Sequence, residues 1–213
     1  MKIEVWSDYV CPFCYIGKRR LEEALNAADL KDKSEVVFKA FQLDPNTPVG
    51  SEGSVPASLA RKYGTSLEEA KGMLQNVAIQ AKTVGLDYDV EAMKEANTFN
   101  AHRLAKLAEQ EGKDAAVTER LLEGHFVKGE TLDNEETLLA IAEEAGLARE
   151  RVQQVLQSDE FAEEVKRDIE EAGQIGVRGV PFFVINRKYA ISGAQPAETF
   201  VQALKKAAGE ETN

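Results

Sequence analysis

The sequence predicts an α/β fold in which two separated stretches of chain build one sheet and a long all-helical block lies between them. Three observations predict it. A strand–helix–strand pattern opens the chain, a run of helical periodicity occupies its middle, and a strand–hairpin–helix pattern closes it.

Ile3-Glu4-Val5-Trp6 alternates like a short strand, and Ser7 to Val10 turns the chain. Pro12 stands where the first turn of a helix tolerates it. From Phe13 to Ala28, Ile16, Leu21, Ala24, Leu25 and Ala28 recur on one side, while Lys18, Arg19, Arg20, Glu22 and Glu23 largely fill the other. Glu35 to Phe41, rich in β-branched and aromatic residues, reads as the second strand. Leu43 to Pro56 is a Pro/Gly/Ser-rich connection that marks a boundary. From about Ala57 to Ala172 everything reads as helix. Ser66 caps one with Glu69 three residues on, ahead of Val77, Ala81 and Val84. Val90 to Gln110 repeats the pattern, followed by helices over Leu121–Lys128, Asn134–Ala145, Ala148–Gln157 and Ser158–Ala172. Val180 to Ile185 is then a strand, Asn186-Arg187-Lys188 a turn, Tyr189 to Ser192 its hairpin partner, and Pro196 starts a final helix to Ala208.

The order is βαβ, a helical block, then ββα. A thioredoxin-type core has that order without the block. The expected organisation is therefore one discontinuous domain, residues 1–50 and 173–213, carrying an inserted helical domain over 51–172 whose last helix it shares.

Composition narrows the function. Of 213 residues, 43% are hydrophobic and 30% charged, an ordinary globular balance, and the net charge is −11. Phosphate backbones and anionic membranes both call for a basic surface, so neither nucleic acid nor membrane is an expected partner. No run approaches the ~20 apolar residues of a membrane span. Met1 to Asp8 contains no continuous apolar stretch of the secretory kind, which makes the cytoplasm the expected compartment.

Only two cysteines are present, in Cys11-Pro12-Phe13-Cys14. A strand ending at Trp6 and a helix starting near Cys11 put the first thiol at a helix N-terminus. Unpaired N–H groups and the positive end of the dipole favour a thiolate there. Such motifs bring a thiol from about 8.5 to roughly 3.5–7.5. Two intervening residues let both sulfurs meet within one turn, so that Cys11 attacks a disulfide and Cys14 resolves the mixed disulfide. Zinc takes four ligands as a rule, and the two histidines, His102 and His125, stand apart in helical segments, so no metal site is expected. Pro181, read from the residues alone, is a proline starting a strand, where its missing N–H is tolerated.

Ser7-Asp8-Tyr9-Val10-Cys11-Pro12-Phe13-Cys14-Tyr15-Ile16-Gly17, followed far along by Gly179-Val180-Pro181-Phe182-Phe183-Val184, resembles the DsbA family and is most similar to its cytoplasmic FrnE-like subgroup. Phe41-Gln42-Leu43-Asp44-Pro45, Asn97 to Leu104 and Ser192-Gly193-Ala194-Gln195 support the resemblance, which covers nearly the whole chain. It implies a thioredoxin fold with an inserted helical domain, Cys11 as exposed nucleophile, Cys14 as resolving thiol, and Pro181 as a cis-proline facing them. Val180 would offer backbone hydrogen bonds to an extended substrate segment. Pro12, Phe13, Trp6 and Tyr9 join it as candidate substrate contacts, the aromatic set with Tyr15 forming an apolar platform unless it serves as core. Periplasmic members carry a histidine where Phe13 stands. A phenyl ring supplies neither its charge nor its hydrogen bond, which points toward a less oxidising dithiol suited to a reductase or isomerase.

The expected activity is thiol–disulfide exchange with protein substrates by a monomer or homodimer, with no cofactor beyond the Cys11–Cys14 pair. Two alternatives stand beside it. Kappa-class glutathione transferases and hydroxychromene carboxylate isomerases share the insertion topology, which admits glutathione binding with Asn97 and His102 as candidate lining. A non-catalytic redox sensor would use the disulfide to switch affinity for a partner.

Overall fold

The computed structural model describes residues 1–211. The chain divides into two compact units, Met1–Leu43 with the chain from Asp168 on, and Asp44–Arg167. These limits fall a few residues ahead of the positions 50 and 172 read from sequence.

The first unit is a four-stranded mixed sheet in the order β2-β1-β3-β4, from β1 (Lys2–Ser7), β2 (Glu35–Ala40), β3 (Phe182–Ile185) and β4 (Tyr189–Ser192). β1 runs parallel to β2 and antiparallel to β3, with Val5 opposite both Phe38 and Phe183. Strand alternation then sorts the side chains by face. Ile3, Val5, Phe183 and Ile185 pack with Leu21 and Leu25 of α1 (Pro12–Ala27) and with Phe200 and Leu204 of α9 (Ala197–Glu211). Trp6 and Val184 face the other way, onto Ala172 and Val177. This is the thioredoxin-type sheet expected from the element order.

Covering both faces changes what the strand residues do. Although β1 alternates polar and apolar residues, Glu4 is as buried as its apolar neighbours. A buried carboxylate has to be paired. Glu4 is held by the Arg187 guanidinium from the β3–β4 turn, with the Lys39 ammonium at 3.8 Å. β3 starts two residues later than read, because Pro181 has no N–H to give a ladder.

The second unit holds α2 (Val55–Tyr63), α3 (Leu67–Lys82), α4 (Phe99–Gln110), α5 (Asp114–Phe126), α6 (Glu135–Glu144) and α7 (Arg149–Leu156). α8 (Ala162–Gln174) continues past the boundary into the first unit. Local chemistry sets the ends. Ser66 and Glu69 form the expected capping box, Ser54 and Asn134 cap α2 and α6, and Gly64 ends α2 in the left-handed conformation at φ 64°.

One stretch read as helix is not. α3 stops at Lys82, and no helix forms again until Phe99. Val90 and Met93 are buried at a helix-like spacing, but side chains claim the backbone here. The Asp89 carboxylate accepts the Ala92 N–H, the Asp133 carboxylate the N–H groups of Gly50 and Asn97, and the Asn97 side chain the Phe99 N–H. Asp and Asn compete with the helix in this way.

Candidate active site

β1 ends at Ser7, and the next three residues bring the chain around so that the Cys11 N–H bonds the Asp8 carbonyl at 3.1 Å. Cys11 is the N-cap residue of α1, with extended backbone angles (φ −89°, ψ 113°), and Pro12 opens the helix. The Cys14 N–H bonds the Cys11 carbonyl at 3.0 Å, closing the first turn with both sulfurs on it. Both thiols are free. The first turn of α1 holds no acidic residue, so nothing there offsets the positive helix end.

The two sulfurs differ. Cys14 is wholly enclosed, and burial pushes its thiol well above the ordinary range, with a hydrogen bond and charge from Cys11 adding to the rise. Ser7's hydroxyl and the Asp8 backbone act in the opposite direction. Cys11 lies under the Val180–Pro181 segment, where the peptide bond is cis, and its thiol donates to the Val180 carbonyl at 3.4 Å.

Several sequence expectations are corrected at this point. Cys11, expected exposed, is only 4% exposed, with its thiol against the Val180 carbonyl. Trp6 and Tyr9, expected as substrate contacts, are buried, and so is Tyr15. Trp6 donates its indole N–H to the Asp168 carbonyl at 2.9 Å, so it serves as core. Of the aromatic set only Phe13 reaches the surface, at 38% exposed, next to half-buried Pro12. The cationic run after the motif is engaged in ion pairs. Lys18 is buried and bonds Glu22 at 2.5 Å, while Arg19 bonds Glu22 at 3.0 Å and lies over the Tyr15 ring.

Asn97 and His102 belong to the helical unit. The Asn97 amide donates to the carbonyls of Pro45 and Thr47 at 3.3 and 2.8 Å, which makes it a clip for the loop ahead of α2. His102 is buried in α4.

Two residues of the quoted motif, to which the sequence assigned no role, belong to the site. Gly17 lies one turn beyond Cys14, and a Cβ there would come within 2.9 Å of Pro181 Cγ and 3.1 Å of Phe183 Cζ. Its lack of a side chain is what lets the Pro181 segment seat against α1. A glycine inside a helical pattern was the available signal. Asp8 is the other, a buried acid immediately ahead of the motif.

Residues 2–205 match the DSBA-like thioredoxin domain. A probable DsbA oxidoreductase from Streptomyces coelicolor, SCO1869, is 42% identical, with 99% of this chain and 91% of that one aligned at a TM-score of 0.94. The uncharacterized protein YwbO of Bacillus subtilis is 25% identical over 95% of this chain and 94% of its own length. A 2-hydroxychromene-2-carboxylate isomerase shares the fold at a TM-score of 0.71 and 16% identity, over all of this chain and 98% of that one.

Proposed function

We propose that this chain, which belongs to the DSBA-like thioredoxin-domain family, exchanges disulfides in protein substrates, with Cys11 attacking and Cys14 resolving. One observation carries the reading: two free thiols share the first turn of α1, and the Val180–Pro181 segment lies against the outer one. The FrnE-like motifs around the site support a cytoplasmic member of the family.

The chemistry balances as two exchanges. The Cys11 thiolate attacks one sulfur of a substrate disulfide; a Cys11–substrate bond forms, and the other substrate sulfur departs as a thiolate. Cys14 then gives up its proton and bonds the Cys11 sulfur, and the second substrate sulfur leaves and takes up a proton. The substrate gains two electrons, and the pair becomes a disulfide. A low-molecular-weight thiol such as glutathione, or a partner dithiol, returns the electrons for another cycle. Run backwards, the same steps oxidise a substrate.

Val180 adds the binding element. Its carbonyl now accepts the Cys11 thiol, and a main-chain N–H of an extended substrate would take that place. Substrate binding would then free the sulfur that has to react.

Insulin reduction by a small dithiol, followed by turbidity, tests the reading. Wild type should accelerate precipitation, Cys11→Ser should fall to the uncatalysed rate, and Cys14→Ser should accumulate a mixed disulfide visible by mass spectrometry. Equal rates for wild type and Cys11→Ser would reject it. Glutathione that binds and supports turnover after Cys14→Ser, with no reduction of insulin, would favour the transferase alternative.

A further inference from the structure

Asp8 is bonded to the dithiol loop through both its side chain and its main chain. The side chain is buried, at 1% exposed. One carboxylate oxygen accepts the Tyr9 N–H at 2.9 Å, and the other accepts the Leu43 N–H at 2.9 Å, from the chain that has just left β2. The main chain meets both cysteines. The Asp8 carbonyl takes the Cys11 N–H at 3.1 Å, the Cys11 carbonyl in turn takes the Cys14 N–H at 3.0 Å, and the Asp8 backbone acts to lower the pKa of the Cys14 thiol. A buried carboxylate is costly to leave unbonded, so two charge-assisted N–H bonds lock this loop in one conformation.

We propose that Asp8 is the positioning residue of the resolving step: its carboxylate ties the cysteine loop to the chain at Leu43 and so holds the backbone that serves the Cys14 sulfur. The proposal rests on the reading of Cys14 as the resolving thiol. In that step the Cys14 proton leaves, a Cys14–Cys11 bond forms, and the Cys11–substrate bond breaks toward the departing thiolate. The buried Cys14 thiolate needs that backbone support most at that moment, whereas attack by Cys11 comes before it.

Two physical effects of Asp8 have opposite signs, which makes the proposal decidable. As a negative charge, it opposes a thiolate nearby, so neutralising it should speed resolution. As a clamp, it supports that thiolate, so loosening it should slow resolution. Asp8→Asn removes the charge and leaves a single side-chain oxygen to accept what two accept now. Leu43→Pro removes the N–H donated to Asp8, in an exposed residue, and leaves the charge in place.

The test uses reduced full-length protein and dithiobis(nitrobenzoate) in stopped flow. The first release of thionitrobenzoate reads attack by Cys11 and the second reads resolution by Cys14. Asp8→Asn and Leu43→Pro should each slow the second phase about tenfold, the factor supported by one charged hydrogen bond, and leave the first within about threefold. The midpoint of the second-phase pH profile should move upward in both. Far-ultraviolet dichroism and tryptophan emission matching wild type establish that each variant is folded. A faster second phase in Asp8→Asn, or a wild-type second phase in Leu43→Pro, would overturn the clamp. A first phase that persists at the wild-type rate in Cys11→Ser would instead remove the underlying assignment of the two thiols.

Discussion

The sheet unit and the helical unit both bury charged and polar groups, and they put them to different uses. In the sheet unit the Asp8 carboxylate, the Ser7 hydroxyl and the two thiols gather where β1 gives way to α1, around the sulfurs that the proposed exchange would use. In the helical unit Arg103 and Arg120 hold architecture. The Arg103 guanidinium donates to the carbonyls of Val155, Ser158 and Glu160, holding the last turn of α7 and the chain that follows it. Arg120 of α5 joins Glu130 of the α5–α6 connection at 2.6 Å to Glu144, the last residue of α6, at 2.5 Å. Under the proposed function the polar groups around the thiols tune chemistry, whereas Arg103 and Arg120, like the buried Glu4–Arg187 pair of the sheet unit, fix chain geometry.

That contrast can be broken by substitution. The largest effect expected is on stability, from Arg120→Ala, which strands Glu130 and Glu144. Both acids are partly exposed, at 29% and 54%, which screens them and brings the loss to about 2–3 kcal/mol. Chemical denaturation should show that loss while the thiol exchange rate of the folded protein stays unchanged; a matching loss of exchange would erase the distinction between the units. Gly17→Ala should show the reverse emphasis. Overpacking against Pro181 should cost about 1–2 kcal/mol. It should also disturb the Cys11–Val180 contact enough to slow insulin reduction about tenfold, measured on protein shown to be folded by circular dichroism. An unchanged rate would mean that the Pro181 segment adjusts freely. The smallest effect expected is from Phe13→His, a surface change of one ring. A histidine hydrogen bond to the thiolate stabilises the reduced form, so the reduction potential should rise by roughly 30 mV, a tenfold change in equilibrium. Equilibration with glutathione buffers measures it, and a potential equal to wild type would show that residue 13 does not set the redox poise.

How much of this was legible in the sequence depended on distance along the chain. The Cys11–Cys14 turn, the Ser66–Glu69 capping box and the strands at Ile3 and Phe182 are local patterns, and each was read from a few consecutive residues. The burial of Cys11 depends on Val180, 169 residues on, and that of Glu4 on Arg187, 183 residues on. Neither pairing leaves a local trace. The stretch before Phe99 misled for another reason. Its buried Val90 and Met93 mimic a helix, while Asp89, Asn97 and Asp133 hold the backbone in turns. Asp8 looked like an ordinary turn residue because its second bond, to Leu43, requires β2 to be in place.

Trp6 has a consequence for how this protein can be watched. It is the only tryptophan in the chain, it lies wholly inside the sheet unit, and it is flanked by Lys39 and Arg187 at 5.7 and 5.9 Å from its ring. Indole emission is therefore a private signal of the sheet unit, silent about the helices of Asp44–Arg167. Far-ultraviolet dichroism, drawn from helices in both units, is weighted toward the other. A denaturation followed by both light signals would report whether the two halves of this molecule come apart in one cooperative event or in sequence.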